Sequence, residues 1–442
     1  MLQKWLFKQV DSSALIVFRV CFGLLITIEA WGAIFTGWIR RTLIEPTFTF
    51  NFIGLDFLQP LPGNGMYYYY AVMGLFGVFV TLGYKYRFSM ASYTLMWSCV
   101  YFMQKSSYNN HYYLLILICI FMLIVPAHRY FSVDVKQKPA LKKFSMPNWV
   151  NIFIILQLWI VYTYASVAKL YPDWLDGTVP ALLMKSKQDY WLIGDFLQND
   201  WVPGVITYFG LIFDLIVVPC LLWKPTRKPI FIAAIFFHLF NSIVFQIGIF
   251  PYLSLAFCLF FFPAKSIQQR FLPKKKFYEL EEVTVPNYKP ALVSFFVIWF
   301  LLQLCLPLRH WFIPDNVLWT EEGHRLSWRM MLRSKSGHST FTIVDNNTGK
   351  KIIVPKRNYL SKKQMGIVST KPDVIWQFCQ RLKKEYEEKG EDISIYVNAK
   401  VRVNNRPSQP LIDPNVDMAK AEWNYFSHND WILPSNLEKS KK

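Results

Sequence analysis

The sequence predicts a polytopic α-helical membrane protein of about nine spans, followed by a small extracytoplasmic α+β domain. Three observations carry this. Of 442 residues, 53% are hydrophobic, 18% aromatic and only 17% charged, with a mean hydropathy of +0.22. That balance excludes disorder, a collagen-like chain and a disulfide-rich scaffold. Apolar stretches approaching the roughly 20 residues that a helix needs to cross a bilayer recur as far as Leu308. After Leu308 the composition turns polar, so a membrane domain over 1–308 and a second domain over 309–442 are expected.

In chain order, the expected spans lie near 14–39, 66–83, 88–103, 112–126, 150–168, 201–223, 229–247, 249–263 and 291–308. Around Gly248 and Pro251, a single broken element is the alternative to two spans. Met1 to Val10 carries two lysines and no cleavable small-residue site, so no removable signal peptide is expected. With the N-terminus cytoplasmic, the inner segments hold eighteen lysines and arginines and the outer loops up to the ninth span hold six. This asymmetry fits the positive-inside rule and sends residues 309–442 to the extracytoplasmic side. The net charge of +19 is then mostly topological, and nucleic acid is not an expected partner.

In the second domain, Ser339 to Pro355 reads as two strands around Asp345-Asn346-Asn347-Thr348-Gly349. Val374, Phe378, Leu382 and Tyr386 recur at helical spacing before Gly390. Ile393, Ile395, Val397, Ala399, Val401 and Val403 alternate as in a half-buried strand.

Ionisable residues inside spans are costly and mark candidate sites: Arg19, Glu29, Asp214, His238, and Lys169 at a span end. In the seventh span His238, Asn241, Ser242 and Gln246 would form one polar stripe of a helix, either a cavity wall or helix–helix glue. Asn109, Asn110 and His111 open the fourth span with several directional donors and acceptors, or serve as a helix cap. Ala165 lies one turn before Lys169 on the same face and leaves room beside the amine. Three spans thus bring polar groups to the outer half of the membrane, a place for a lipophilic ligand. No histidine or cysteine spacing suggests a metal, and six of seven cysteines (Cys21, Cys99, Cys119, Cys220, Cys258, Cys305) lie in apolar runs.

Several of these fragments, in order, resemble the vitamin K-dependent γ-glutamyl carboxylase family with its horizontally transferred transmembrane (HTTM) domain. They are Phe18-Arg19-Val20 with Phe22-Gly23, and Asn109-Asn110-His111 with Tyr113-Leu114. Next come Lys169-Leu170 with Asp173-Trp174 and Gly177, then His238, Asn241-Ser242, Phe245, Ile247-Gly248 and Phe250. Ser327-Trp328 with Met330-Met331, and Asp413-Pro414 with Val416-Asp417, Ala421 and Trp423, continue it through the second domain.

The resemblance implies oxygenation of reduced vitamin K (phylloquinol or menaquinol) by O2 to the epoxide, coupled to γ-carboxylation of a glutamate-containing peptide or protein with CO2. It puts Lys169 at the family's catalytic lysine and His111 at the assisting histidine. Asn109, Asn110, His238, Asn241, Ser242, Gln246 and Trp328 become candidate quinone- or substrate-binding residues, with no metal. A lysine acts as a base only when neutral, so the approach of Asp173 and Asp176 would work against it.

The chain departs from vertebrate members at Ala168 (where they have a second lysine), at Tyr108 (a tryptophan) and over Gly323–Leu326, just before the shared Ser327-Trp328. It also lacks the cysteine pair joining their two parts, and their long C-terminal extension. A bacterial homologue using menaquinol is expected, in the inner membrane with its second domain in the periplasm; a eukaryotic chain would sit in the endoplasmic reticulum. A quinol oxygenase without carboxylation and a non-catalytic membrane scaffold are the alternatives.

Overall fold

Every predicted span coincides with a helix. The computed structural model describes residues 2–280 and 282–437. In the membrane region we label α1 (Ser13–Phe35), α2 (Gly65–Leu82), α3 (Tyr86–Met103), α4 (Asn110–Ile124) and α5 (Trp149–Val167). They are followed by α6 (Val202–Leu222), α7 (Lys224–Phe240), α8 (Phe250–Phe257) and α9 (Lys289–Leu308).

Among the described residues six helices are long and apolar enough to cross a membrane, seven if the pair Phe250–Phe261 and Ala264–Phe271, bent by 118°, is one broken span. Two other helices at expected spans fall outside that count for physical reasons. Helix α3 carries Arg87, Ser89, Ser92, Thr94 and Ser98 among its apolar residues. Helix α4 has 15 residues, about 22 Å at 1.5 Å per residue, short of a ~30 Å hydrocarbon core. Leu114 through Cys119 are all buried, so α4 is a central helix surrounded by protein.

Small residues let α1 and α2 approach closely, which is how membrane helices gain packing energy where lipid is as apolar as leucine. A Cβ built on Gly23 would lie 2.5 Å from the Thr81 backbone nitrogen, and one on Gly77 would lie 3.0 Å from that of Thr27. Gly23→Ala is therefore expected to force the helices apart at a cost of about 1–3 kcal/mol. A lower melting temperature in detergent would show it, and an unchanged one would mean the helices can slide. Arg19, fully buried in α1, donates to the carbonyls of Ala127 (3.1 Å) and Tyr130 (3.2 Å). It clamps the α4–α5 connection, a structural role.

A short antiparallel ribbon, β1 (Gln9–Asp11) with β2 (Ser145–Pro147), ties the N-terminus to the start of α5. The C-terminal domain holds β3 (Lys335–Asp345), β4 (Lys351–Ile353), α10 (Pro372–Glu387), β5 (Ile393–Val403) and β6 (Gln409–Pro410). The sheet is antiparallel with order β4-β3-β5-β6, and Phe341 pairs with Val397. The hairpin, the helix and the alternating strand read from the sequence are all present. The six alternating residues of β5 face the core, onto which α10 sets Val374, Phe378 and Leu382.

That core also takes Phe48 and Phe50 from the α1–α2 loop and Trp174 and Val179 from the α5–α6 connection. The Gln364 side chain donates to the Phe48 carbonyl at 2.8 Å, and that of Gln377 to the Asn51 carbonyl at 3.1 Å.

Candidate active site

Helix α5 ends at Val167, and two residues later Lys169 turns into an apolar cavity of about 520 Å³ between α6, α7 and the start of α4. His111, Asp214, Tyr162 and Asn241 line it with Lys169, among Phe209, Phe237, Phe250 and other apolar side chains. Its outer face is the lipid-facing side of the bundle, where Phe236 is 69% and Ile243 60% exposed. Met330 and Met331, from a strap of the C-terminal domain, close the other side.

The Lys169 Nζ is in direct contact with Asp214 Oδ2, and both residues are buried. It lies 5.5 Å from the Trp174 ring centroid. The pair places one positive and one negative group in an otherwise apolar pocket, where each is the other's compensation. A proton moved from the amine to the carboxylate leaves the pocket neutral, so the amine can become a base without a net charge change. The two acids that the sequence put near the amine are turned away, and Asp214 takes the place beside it. Asp173 accepts from Asn404 and Arg406 of the C-terminal domain, and Asp176 accepts from the Thr178 amide at 2.9 Å. Asp214 was visible as a lone acid in an apolar helix, but its partner, 45 positions away in another helix, has no sequence signature.

The other candidates divide. The His111 ring packs on Phe250 at 4.1 Å and faces the cavity. Asn109 is the cap of α4, its side chain accepting from the Tyr112 amide at 2.7 Å. Asn110 accepts from the Tyr108 hydroxyl (2.7 Å) and donates to the Arg329 carbonyl (2.9 Å), holding the strap over the bundle. His238 is buried one layer behind the cavity, its Nε2 3.1 Å from the Tyr162 hydroxyl. Trp328 is buried against Tyr113, ring centroids 5.0 Å apart, and plugs the strap into the bundle rather than facing the cavity.

The single polar stripe is corrected as well. Helix α7 stops at Phe240, Asn241–Phe245 forms a π-helical turn, and Gln246 takes a left-handed φ of 52°. The wider turn breaks the 3.6-residue phase. Asn241 stays on the Lys169 cavity, Ser242 meets the Tyr252 hydroxyl at 3.0 Å, and Gln246 faces a different cavity.

Above the cavity, Asp373 at the start of α10 bonds Lys105 (2.6 Å) and Arg325 (2.6 Å), joining the two domains. Burial would raise its carboxyl, but Arg325 and Lys105 pull it from 3.8 to about 2. Burial outweighs Asp373 at the Lys105 amine and lowers it to about 8. Because the folded Asp373 value lies below the unfolded one, its stabilisation is complete above the unfolded value and lost as pH falls through about 2. A shift of this size is worth about 2 kcal/mol. Acid titration in detergent, followed by tryptophan fluorescence, is expected to loosen the C-terminal domain below about pH 4. Insensitivity down to pH 2 would contradict the assignment. Among the described residues no group of three His, Cys, Asp or Glu could hold a metal ion.

Comparison with known proteins gives two matches that divide the chain as its architecture does. Residues 7–265, more than half of the sequence, match the HTTM domain, and residues 288–438 match the vitamin K-dependent gamma-carboxylase lumenal domain. No solved structure matches the chain. A multi-span HTTM bundle joined to a lumenal-type α+β domain makes this chain a member of the vitamin K-dependent gamma-carboxylase family.

Proposed function

We propose that the protein is a vitamin K hydroquinone-dependent γ-glutamyl carboxylase, with its C-terminal domain extracytoplasmic. The observation that carries this is the buried Lys169–Asp214 pair facing His111 across an apolar cavity that borders lipid. The lining fits a reduced vitamin K or menaquinol: aromatic and aliphatic walls suit the ring and its tail, and the amine suits a phenolic hydroxyl.

When bound and oxygenated by O2, the quinol supplies the driving force for removing the γ-proton of a peptide glutamate, which then takes up CO2. Lys169 passes its ammonium proton to Asp214 and, as a free amine, takes a proton from the quinol hydroxyl. Asp214 retains that first proton, so no uncompensated charge is left in the pocket. His111, across the cavity, presents an imidazole to the glutamate side of the reaction. Phe237, Phe250, Met330 and Met331 exclude water, which would otherwise quench a reactive carbanion. The peptide arrives from the C-terminal domain, where Arg325, Arg329, Arg333, Lys335 and Lys371 crowd around Glu321 and Asp373, a field that attracts carboxylates.

The test is a joint assay of the purified protein in nanodiscs with reduced vitamin K or menaquinol, O2, labelled bicarbonate and a short glutamate peptide. Epoxide and fixed label in parallel are expected. Epoxide without label would make the protein a quinol oxygenase, and neither product from folded protein would reject the proposal.

A further inference from the structure

A second cavity, of about 770 Å³, lies on the other side of the wall that bounds the first. The wall is thin and built from alternating neighbours. His111, Ile247 and Phe250 face the Lys169 cavity, while Tyr112, Gln246 and Gly248 face the second one. Its mouth runs along one face of α1, where Leu25, Ile28, Gly32 and Thr36 follow each other at helical spacing. Ile28 is 60% exposed, so the mouth opens on the lipid-facing surface of the bundle.

At its inner end sits the Glu29 carboxyl. The Tyr112 hydroxyl donates to it, the Ile249 backbone amide also reaches it, and no described lysine or arginine pairs with it. Gly248 passes beside it in a left-handed conformation (φ 63°), which favours glycine, and a Cβ there would be in ordinary contact with Glu29 Oε2 at 3.6 Å and the Tyr112 hydroxyl at 3.7 Å. Around this head the walls are aromatic, with Trp38, Tyr70, Trp97 and Tyr101, and the Trp97 ring stands edge-on to Tyr112 at 5.0 Å. A carboxyl at membrane depth with spare acceptor capacity calls for a hydrogen-bond donor, and none of the described cations provides it. Flat aromatic walls call for a flat ring, and an open lateral mouth calls for an apolar tail.

We propose that this cavity is a second binding site for a hydroquinone-class amphiphile, with one ring hydroxyl donating to Glu29 and the tail leaving along the α1 face. The proposal rests on the reading that the membrane supplies a quinol to this protein. It adds a site outside the Lys169 pocket, one residue away across the wall at His111 and Tyr112. A protein that consumes a scarce lipophilic substrate would thus hold a second molecule beside the reacting one.

The experiment uses the full chain in nanodiscs, without oxygen so that no turnover occurs, and a photoreactive menaquinol analogue whose adducts are mapped by peptide mass spectrometry. Adducts are expected on both sides of the wall, near Trp97 and Tyr252 and near Phe209 and Phe237. Glu29→Gln should reduce the first set at least tenfold and leave the second unchanged. Should that variant fail to fold, Gly32→Leu fills the same mouth from a position whose added Cβ meets nothing within 4 Å. Absence of the first set, its persistence in both variants, or phospholipid there that saturating quinol does not displace would each overturn the proposal. Adducts at Trp97 and Tyr252 alone would uphold it and reject quinol binding beside Lys169; adducts at Phe209 and Phe237 alone would do the reverse.

Discussion

Lys169→Ala is expected to slow epoxide formation and label fixation together, by about two to four orders of magnitude, the usual worth of a positioned general base. The same substitution should also weaken the fold. It leaves Asp214 buried without its cation, and breaking one half of a buried pair costs about 3–5 kcal/mol. A loss of activity in the single variant is therefore ambiguous between chemistry and folding. The double variant Lys169→Ala with Asp214→Ala separates them, since it removes both charges at once. Its melting temperature in detergent is expected to recover most of the loss while turnover stays absent. Recovery of turnover in the double variant would remove Lys169 from the chemistry, whatever the family it belongs to.

The second large effect is expected at the joint between the domains. Asp373 is the anion that Lys105 and Arg325 share, and Asp373 and Lys105 are almost completely buried. Asp373→Ala should cost about 3–5 kcal/mol, because it leaves two cations facing each other away from water. Replacing all three by apolar residues of similar size (Lys105→Met, Arg325→Met and Asp373→Leu) should cost far less, as removal of a whole buried charge cluster often does. Thermal unfolding of the single and triple variants decides between them. Equal destabilisation would mean that the cluster contributes attraction and not only compensation.

What could be read from the sequence was set by local physics. The alternation from Ile393 to Val403 and the spacing of Val374, Phe378 and Leu382 each require one face to be buried, and a period of two or 3.6 states this directly. Apolar runs located every membrane helix, but they could not tell lipid-facing α6 from protein-enclosed α4, since both are apolar and only tertiary packing distinguishes them. Lys169 and His111 could be put forward because they stand in ordered fragments shared with a family, and both line one cavity. Asp214 and Tyr162 were not singled out as their neighbours, because a contact between two helices leaves no fixed spacing. The stripe from His238 to Gln246 failed for a local reason: a π-turn at Asn241–Phe245 changes the phase, and nothing in those five residues announces it. Asn109 caps α4, one of the two readings its run allowed, while the packing of Trp328 against Tyr113 has no sequence signature.

The four side chains that the membrane region lends to the second core have a bearing on biogenesis. Phe48, Phe50, Trp174 and Val179 are made well before the sheet they support, on loops that lie on the same side of the membrane as that sheet. The C-terminal segment, synthesised last, finds part of its hydrophobic template waiting. Folding of that domain thereby becomes a report on correct insertion: if a single span after Val179 fails to insert, β3 and β5 emerge in the compartment that lacks those loops. Their apolar faces would stay uncovered, which marks the misinserted protein for removal by the machinery that recognises exposed hydrophobic surface.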